Sequence, residues 1–290
     1  MPVGQVIRSH SNIYYVLVEG REVECRPRGR FRLDKQQVRA GDLVEVTLIG
    51  DEGRIDAILP RRTELHRPPI ANVDQALVVF TLKEPEADYL FLDRVLIHVE
   101  QAGVEPIILL NKVDLLEPGE VAAFTEMYQR VGYPVYPIAA RTGQGLDAIR
   151  PLLKGKLSVL AGHSGVGKSR LVQALEPSRE GIRVGALSEK LGRGRHTTRH
   201  VELIPLSTGG LLADAPGFTY LEFTGMEKWD LARYYPEFRQ RAGECRFDDC
   251  LHRKEPDCAV REAVEAGAIP RSRYENYLTF LAEVEALKRW

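Results

Sequence analysis

Residues 162 to 169 run Gly162-His163-Ser164-Gly165-Val166-Gly167-Lys168-Ser169 and fit the spacing G-x-x-x-x-G-K-[ST] in full. The apolar run LSVLA precedes them, and the helical run RLVQAL, opening on Arg170, follows. A phosphate cradle requires this strand-to-helix context. The glycines let the backbone curl so that its N–H groups point inward, and the helix N-terminus adds partial positive charge. Lys168 suits the β- and γ-phosphates of a bound nucleotide, and Ser169 suits Mg²⁺. Alone, the motif specifies a nucleoside triphosphate and leaves its base open.

A candidate base reader lies upstream. Asn111-Lys112-Val113-Asp114 follows the apolar run PIILL. A carboxylate at Asp114 can accept hydrogen bonds from guanine N1–H and its 2-amino group; adenine offers neither in that arrangement. Asn111 and Lys112 would brace the loop and cover the base. Four such residues can also form a plain polar turn. A second element favours the reader: Ala139-Ala140-Arg141-Thr142-Gly143 ends the next apolar run. It resembles the S-A-K element of GTPases, whose backbone N–H, here that of Ala140 beside Arg141, meets the guanine oxygen. Ala139 stands where serine is usual, so bracing by that side chain is absent.

Two further elements would sense the γ-phosphate. Asp214-Ala215-Pro216-Gly217 matches D-x-x-G. Asp214 would hold Mg²⁺ through water, and Gly217 would meet the γ-phosphate by its N–H. Phe218 follows, where Ras-like GTPases use a glutamine to orient the attacking water. Slow intrinsic hydrolysis is therefore expected. Between cradle and aspartate lies LGRGRHTTRH, whose arginines also suit RNA phosphates. Thr198 is the favoured Mg²⁺ ligand and Thr197 the alternative. His196 is a candidate to position water, or a solvated or RNA-contacting side chain.

These elements occur in the order base reader, AAR element, cradle, switch threonine, D-x-x-G. GTPases place the cradle first, so the order implies a circular permutation. It can leave the site unchanged in space, because loops and termini tolerate relocation. It does send the chain from the second switch straight into the C-terminal region, which predicts that switch movement is passed to that region.

That region carries a metal-ligand pattern. Cys245, Cys250, His252 and Cys258 form C-x4-C-x-H-x5-C. Three thiolates and one imidazole make a closed tetrahedral set for a structural Zn²⁺, with no position open for catalysis. Cys25 lies far away and is expected to be a plain thiol.

The elements that must position these residues divide the chain in three. Residues 1–66 hold five short apolar runs (GQVIRS, NIYYVLVEG, REVECRP, GDLVEVTLIG, GRIDAILP), which predict a small β-barrel. Pro68-Pro69 marks a linker. Residues 67–223 alternate apolar strands with helical stretches, as in a mainly parallel α/β sheet. Residues 224–290 are polar, helical and cysteine-bearing. Their last helix sets Tyr277, Phe280, Leu281, Val284 and Leu287 on one face, as core or as a docking surface. The 40 Lys and Arg nearly balance 41 Asp and Glu, so nucleic-acid binding must rest on local patches. One such patch is Arg26, Arg28, Arg30, Arg32 and Lys35 around Phe31. No secretory leader or membrane span is evident, so a cytoplasmic address is expected, where clustered cysteines point to metal.

The combination of GHSGVGKS, GRGRHTT, DAPGF and NKVD with the zinc pattern resembles the ribosome-small-subunit-dependent GTPases, circularly permuted proteins of late small-subunit assembly. The resemblance spans nearly the whole chain and departs only at Ala139. It implies an N-terminal OB-fold barrel, a central permuted P-loop GTPase and a C-terminal zinc domain. It further implies GTP hydrolysis stimulated by the small ribosomal subunit, rRNA binding, and release coupled to hydrolysis. The implied cofactors are GTP or GDP with Mg²⁺ and one structural Zn²⁺. No membrane partner is expected, and a monomer is the default. Two alternatives stand beside this: a zinc-bearing RNA-binding protein that uses nucleotide as a structural ligand, and a P-loop kinase or ATPase.

Overall fold

The structure, a computed structural model, describes residues 1–10, 12–28, 37–66, 68–177, 201–214 and 221–287. The first five apolar runs become β1 (Val3–His10), β2 (Ile13–Val18), β3 (Arg21–Pro27), β4 (Leu43–Ile49) and β5 (Glu52–Ile58). They close a barrel in the order β1-β2-β3-β5-β4, with β3 and β5 parallel and the other pairs antiparallel. Alternation decides which side chains enter: Val44 and Val46 are fully buried, while the alternating Glu45 and Thr47 are not. Cys25 sits in this core among Val16, Val46 and Ile55. This five-stranded closure is the OB-type barrel.

Pro68 and Pro69 mark a hairpin where the sequence suggested a linker: β6 (Glu64–His66) pairs with β7 (Pro69–Ala71). The strands are three residues long, too short for alternation to show. Polar contacts fasten the barrel here. Arg61 reaches the buried Asp42 carboxylate at 2.7 and 2.9 Å, and Asn72 Nδ2 donates to the Gly41 carbonyl at 3.0 Å.

The central sheet comprises β8 (Gln75–Phe80), β9 (Glu105–Leu110), β10 (Val135–Pro137), β11 (Leu157–Ala161), β12 (Leu203–Pro205) and β13 (Leu211–Asp214). Its order is β10-β9-β8-β11-β13-β12, parallel except for the antiparallel edge strand β12. Every residue of β8 and β11 is buried, because helices cover both faces. Helices α1 (Tyr89–Gln101) and α2 (Pro118–Arg130) cover one face, and α3 (Leu146–Leu153) and α4 (Lys168–Leu175) the other. Asp88 caps α1 by accepting the Phe91 N–H, and Glu117 and Glu120 form a capping box at α2.

The C-terminal unit contains α5 (Pro236–Arg239), α6 (Ala259–Glu265) and α7 (Arg271–Leu287). Tyr277, Phe280, Leu281 and Val284 are buried in its core, together with Phe223 and with Ile97 from α1. Leu287 completes the 3/4 spacing but is 43% exposed. The apolar face of α7 is thus core against α1. Beneath it, the fully buried Arg273 meets Asp93 of α1 at 2.5 Å and Glu237 of α5 at 2.8 Å. Among the described residues, no helix is long and apolar enough to cross a membrane.

Candidate functional site

The cradle forms between β11 and α4. Gly162 and Gly167 have φ of 138° and 100°. A Cβ on Gly162 would lie 2.3 Å from the Val79 carbonyl oxygen, and one on Gly167 would lie 2.4 Å from Asn111 Nδ2. Conformation and close approach thus both require glycine. Val166 is buried and pins the loop, while His163, Ser164, Gly165, Ser169 and Arg170 are exposed. The Lys168 ammonium donates to the carbonyls of Gly162 and His163 at 2.8 and 2.7 Å, spanning the loop. The His163 ring lies 4.7 Å from the Phe91 ring on α1.

The base-reader loop leaves the end of β9. Lys112 takes a left-handed φ of 61° and starts the short turn Val113–Leu115. Asn111 is buried and bonded on both sides. Its Nδ2 donates to the Val166 carbonyl at 2.8 Å, and its Oδ1 accepts the Ala140 N–H at 3.0 Å. The donor that the motif assigns to guanine is therefore engaged by Asn111 here. The Lys112 ammonium donates to the Glu84 carbonyl in the loop that enters α1. Asp114 pairs with Arg141 at 2.9 Å; its side chain is 15% exposed against 71% for the arginine. Arg141, Ala140 and Arg170 share one open groove of about 400 Å³ between α3 and α4. Ala140 and Arg170, 30 positions apart in sequence, thus converge on one surface.

Asp214 ends β13, with its backbone in register with Leu160 of β11, two residues before Gly162. This places the start of D-x-x-G beside the cradle. His196, Thr197, Thr198, Gly217 and Phe218 lie outside the described residues, as do Arg30, Phe31, Arg32 and Lys35. Sequence patterns gave no signal for the contributions of Phe91 and Glu84, which reach the site from a helix start and a turn, respectively.

The four predicted metal ligands come together. Cys245 Sγ and Cys258 Sγ lie 3.6 and 3.4 Å from His252 Nδ1, and 4.0 Å from each other. All four ligand atoms lie within 4.8 Å of one another. Zinc bonds of about 2.3 Å to sulfur and 2.05 Å to nitrogen, at tetrahedral angles, give edges of about 3.8 and 3.6 Å. The set fits such an ion, with Nδ1 as the imidazole donor. Its loop is shaped by Glu255, which accepts N–H bonds from Leu251, Arg253 and Lys254 at 3.0, 2.7 and 2.9 Å. Burial acts to raise this carboxyl, but the backbone donors outweigh it and hold it at about 2. Tyr274 and Tyr277 donate to the carbonyls of His252 and Leu251, fixing the loop on α7. Burial pushes the Cys250 thiol up to about 12 and lowers the His252 imidazole. A bound cation is what would stabilise thiolates here.

The chain is similar to known proteins over nearly its whole length. Residues 3–55 match the family model of the RsgA N-terminal domain, and residues 58–224 match that of the RsgA GTPase. A protein of Shouchella clausii named small ribosomal subunit biogenesis GTPase RsgA is 47% identical, covering 100% of this chain and 99% of its own. One of the same name from Moorella thermoacetica is 48% identical, covering 99% and 98%. The crystal structure of YloQ, described as a circularly permuted GTPase, superposes with a TM-score of 0.85 at 40% identity, over 99% of this chain and 96% of its own. YjeQ from Thermotoga maritima superposes with a TM-score of 0.86 at 37% identity, over 98% of each chain. With both family models matched in turn along its length, the chain belongs to the RsgA GTPase family.

Proposed function

We propose that this chain is a GTPase of small-ribosomal-subunit biogenesis. In this account it binds the subunit and its rRNA in the GTP form, hydrolyses GTP on the subunit, and leaves as the GDP form. The observation that carries the nucleotide assignment is Asn111, whose side chain joins the cradle at Val166 to the AAR element at Ala140. The biogenesis role is supported by the names of relatives that match over nearly the full length.

The chain's residues divide the work. The backbone N–H groups of the cradle and Lys168 hold the β- and γ-phosphates and stabilise charge that develops there. Asp114 selects guanine. Ser169 and Thr198, or Thr197 in its place, are the proposed ligands of Mg²⁺, with Asp214 acting through water; when bound, the ion neutralises phosphate charge. Gly217 reports the γ-phosphate, and His196 is the candidate for orienting water. Phe218 cannot orient water, which supports slow hydrolysis off the subunit. The cluster of Cys245, Cys250, His252 and Cys258 would hold structural Zn²⁺. Arg26, Arg28 and the barrel face, with the arginines around His196, are the proposed RNA contacts. The protein is proposed to act in the cytoplasm as a monomer.

Co-sedimentation with purified small subunits tests this. Retention with a non-hydrolysable GTP analogue and loss with GDP is expected. Equal retention with both nucleotides would contradict a GTP-dependent binding switch.

A further inference from the structure

A carboxylate that reads guanine must meet two donors on one edge of the base, so its direction matters as much as its presence. The backbone beneath Asp114 is pinned. Lys112 is left-handed at φ 61°, and the Leu115 and Leu116 N–H groups close the turn on the Lys112 and Val113 carbonyls at 3.0 and 3.1 Å. The Val113 N–H donates to the Ile138 carbonyl at 3.2 Å, which ties the turn to the chain just before Ala139. The carboxylate itself is not fixed by this backbone, because the terminal torsion of an aspartate is broad. Among the described residues, its partner is Arg141, whose Nη2 donates to Asp114 Oδ2 at 2.9 Å.

Arg141 stands on a closed turn. The Thr142 and Gly143 N–H groups donate to the Ala139 carbonyl at 3.1 and 2.9 Å, and the Ala139 N–H donates to the Gln144 carbonyl at 2.9 Å. The preceding residue, Ala140, is held by Asn111 Oδ1 at 3.0 Å. The backbone of Arg141 is therefore set relative to the reader loop. Ala139 is fully buried and offers only a methyl group, so no hydroxyl braces the carboxylate from that position. A carboxylate has about four lone-pair sites. Arg141 occupies one on Oδ2 and leaves the others for the two guanine donors. The arginine side chain is 71% exposed, and an exposed pair adds little to folding stability. Its effect therefore belongs in binding and not in melting.

We propose that Arg141 is a positioning residue for base discrimination, holding the Asp114 carboxylate in the direction that meets guanine N1–H and the 2-amino group. The proposal rests on the reading of Asp114 as the guanine reader, and adds the side chain that sets its selectivity where Ala139 supplies no brace.

Equilibrium binding of GDP and IDP to the full-length wild type, Arg141→Ala and Arg141→Lys tests it, with melting measured on the same samples. The base of IDP lacks the 2-amino group, so the affinity ratio isolates one of the bonds that Asp114 makes. Wild type should prefer GDP by about tenfold or more. Arg141→Ala should cut that preference by about threefold while the melting temperature stays unchanged. Arg141→Lys, which keeps the charge but loses the planar fork, should fall between the two. An arginine that only attracts phosphate would, once removed, weaken GDP and IDP equally and leave the ratio intact, which overturns the proposal. An arginine that competes with guanine for the carboxylate would raise the preference when removed, which overturns it too. A lowered melting temperature with an intact ratio would mark a structural pair and have the same consequence. Absence of any GDP preference in wild type would instead remove Asp114 as the reader, and the proposal with it.

Discussion

Asn111 precedes Val166 by 55 positions, yet its Nδ2 donates to the Val166 carbonyl at 2.8 Å while its Oδ1 accepts the Ala140 N–H. One buried amide therefore holds cradle, base reader and AAR element together. Replacing it with alanine leaves a buried acceptor and a buried donor unpaired, at about 1–3 kcal/mol each. Asn111→Ala should weaken both GDP and GTP by on the order of 10–100-fold. Titration with a fluorescent guanine nucleotide checks this.

Asp114 is the proposed reader of the base. Asp114→Asn replaces an acceptor with a donor toward guanine N1–H, so GTP affinity should fall steeply. Xanthosine triphosphate, which has a carbonyl in place of the 2-amino group, should compete better than GTP. Competition binding with both nucleotides measures the inversion; unchanged GTP preference would remove Asp114 as reader.

The cluster of Cys245, Cys250, His252 and Cys258 should hold a structural metal in a pH-dependent way. Chelation, or Cys258→Ser, should lower the melting temperature and expose residues 240–260 to protease. Thiols must lose protons to bind metal, and burial holds Cys250 up at about 12 without a cation. Zinc affinity should therefore fall as pH falls, with protons released on binding. Chelator competition at several pH values, with metal content determined, reports both.

His98 supplies a second pH dependence. Burial, and secondarily the charge of Arg94, lower its imidazole to about 4. The folded value is below the ordinary 6.5, so the unfolded chain binds the proton more readily. The contribution is fully present above pH 6.5 and is lost as pH falls toward 4. It is on the order of 3 kcal/mol at most. Denaturant unfolding of wild type and His98→Gln across pH 4–7 should show a steeper loss in wild type.

Arg273 tests the buried joint between α1 and α7. Arg273→Met leaves Asp93 and Glu237 buried without their partner and should cost about 3–5 kcal/mol. Adding Asp93→Asn and Glu237→Gln should recover much of the loss. Urea unfolding of the single and triple variants gives both numbers.

The sequence carried the motif loops plainly because each is a contiguous run whose chemistry is local. The five barrel runs and the central strands also appeared, since β4 alternates and β8 and β11 are apolar except for Gln75 and Ser158. What it did not reveal depends on long-range pairing. Arg273 and Asp93 look like ordinary helix-surface charges, and only packing 180 positions apart makes them a buried pair. Arg94 is equally silent, since neither of its partners, the Leu221 carbonyl and Glu283, is its neighbour in sequence. The β6–β7 hairpin was hidden because two prolines in a row suggest a break, although Pro69 is the first residue of its strand, where proline is tolerated.

The central claim is turnover of GTP controlled by the small subunit. Multiple-turnover phosphate release from GTP should be slow for the protein alone and strongly raised by purified small subunits. ATP as substrate and Lys168→Ala protein should both stay near background. GTP binding with no change in turnover on adding subunits would contradict the account and take the subunit out of the role of activator.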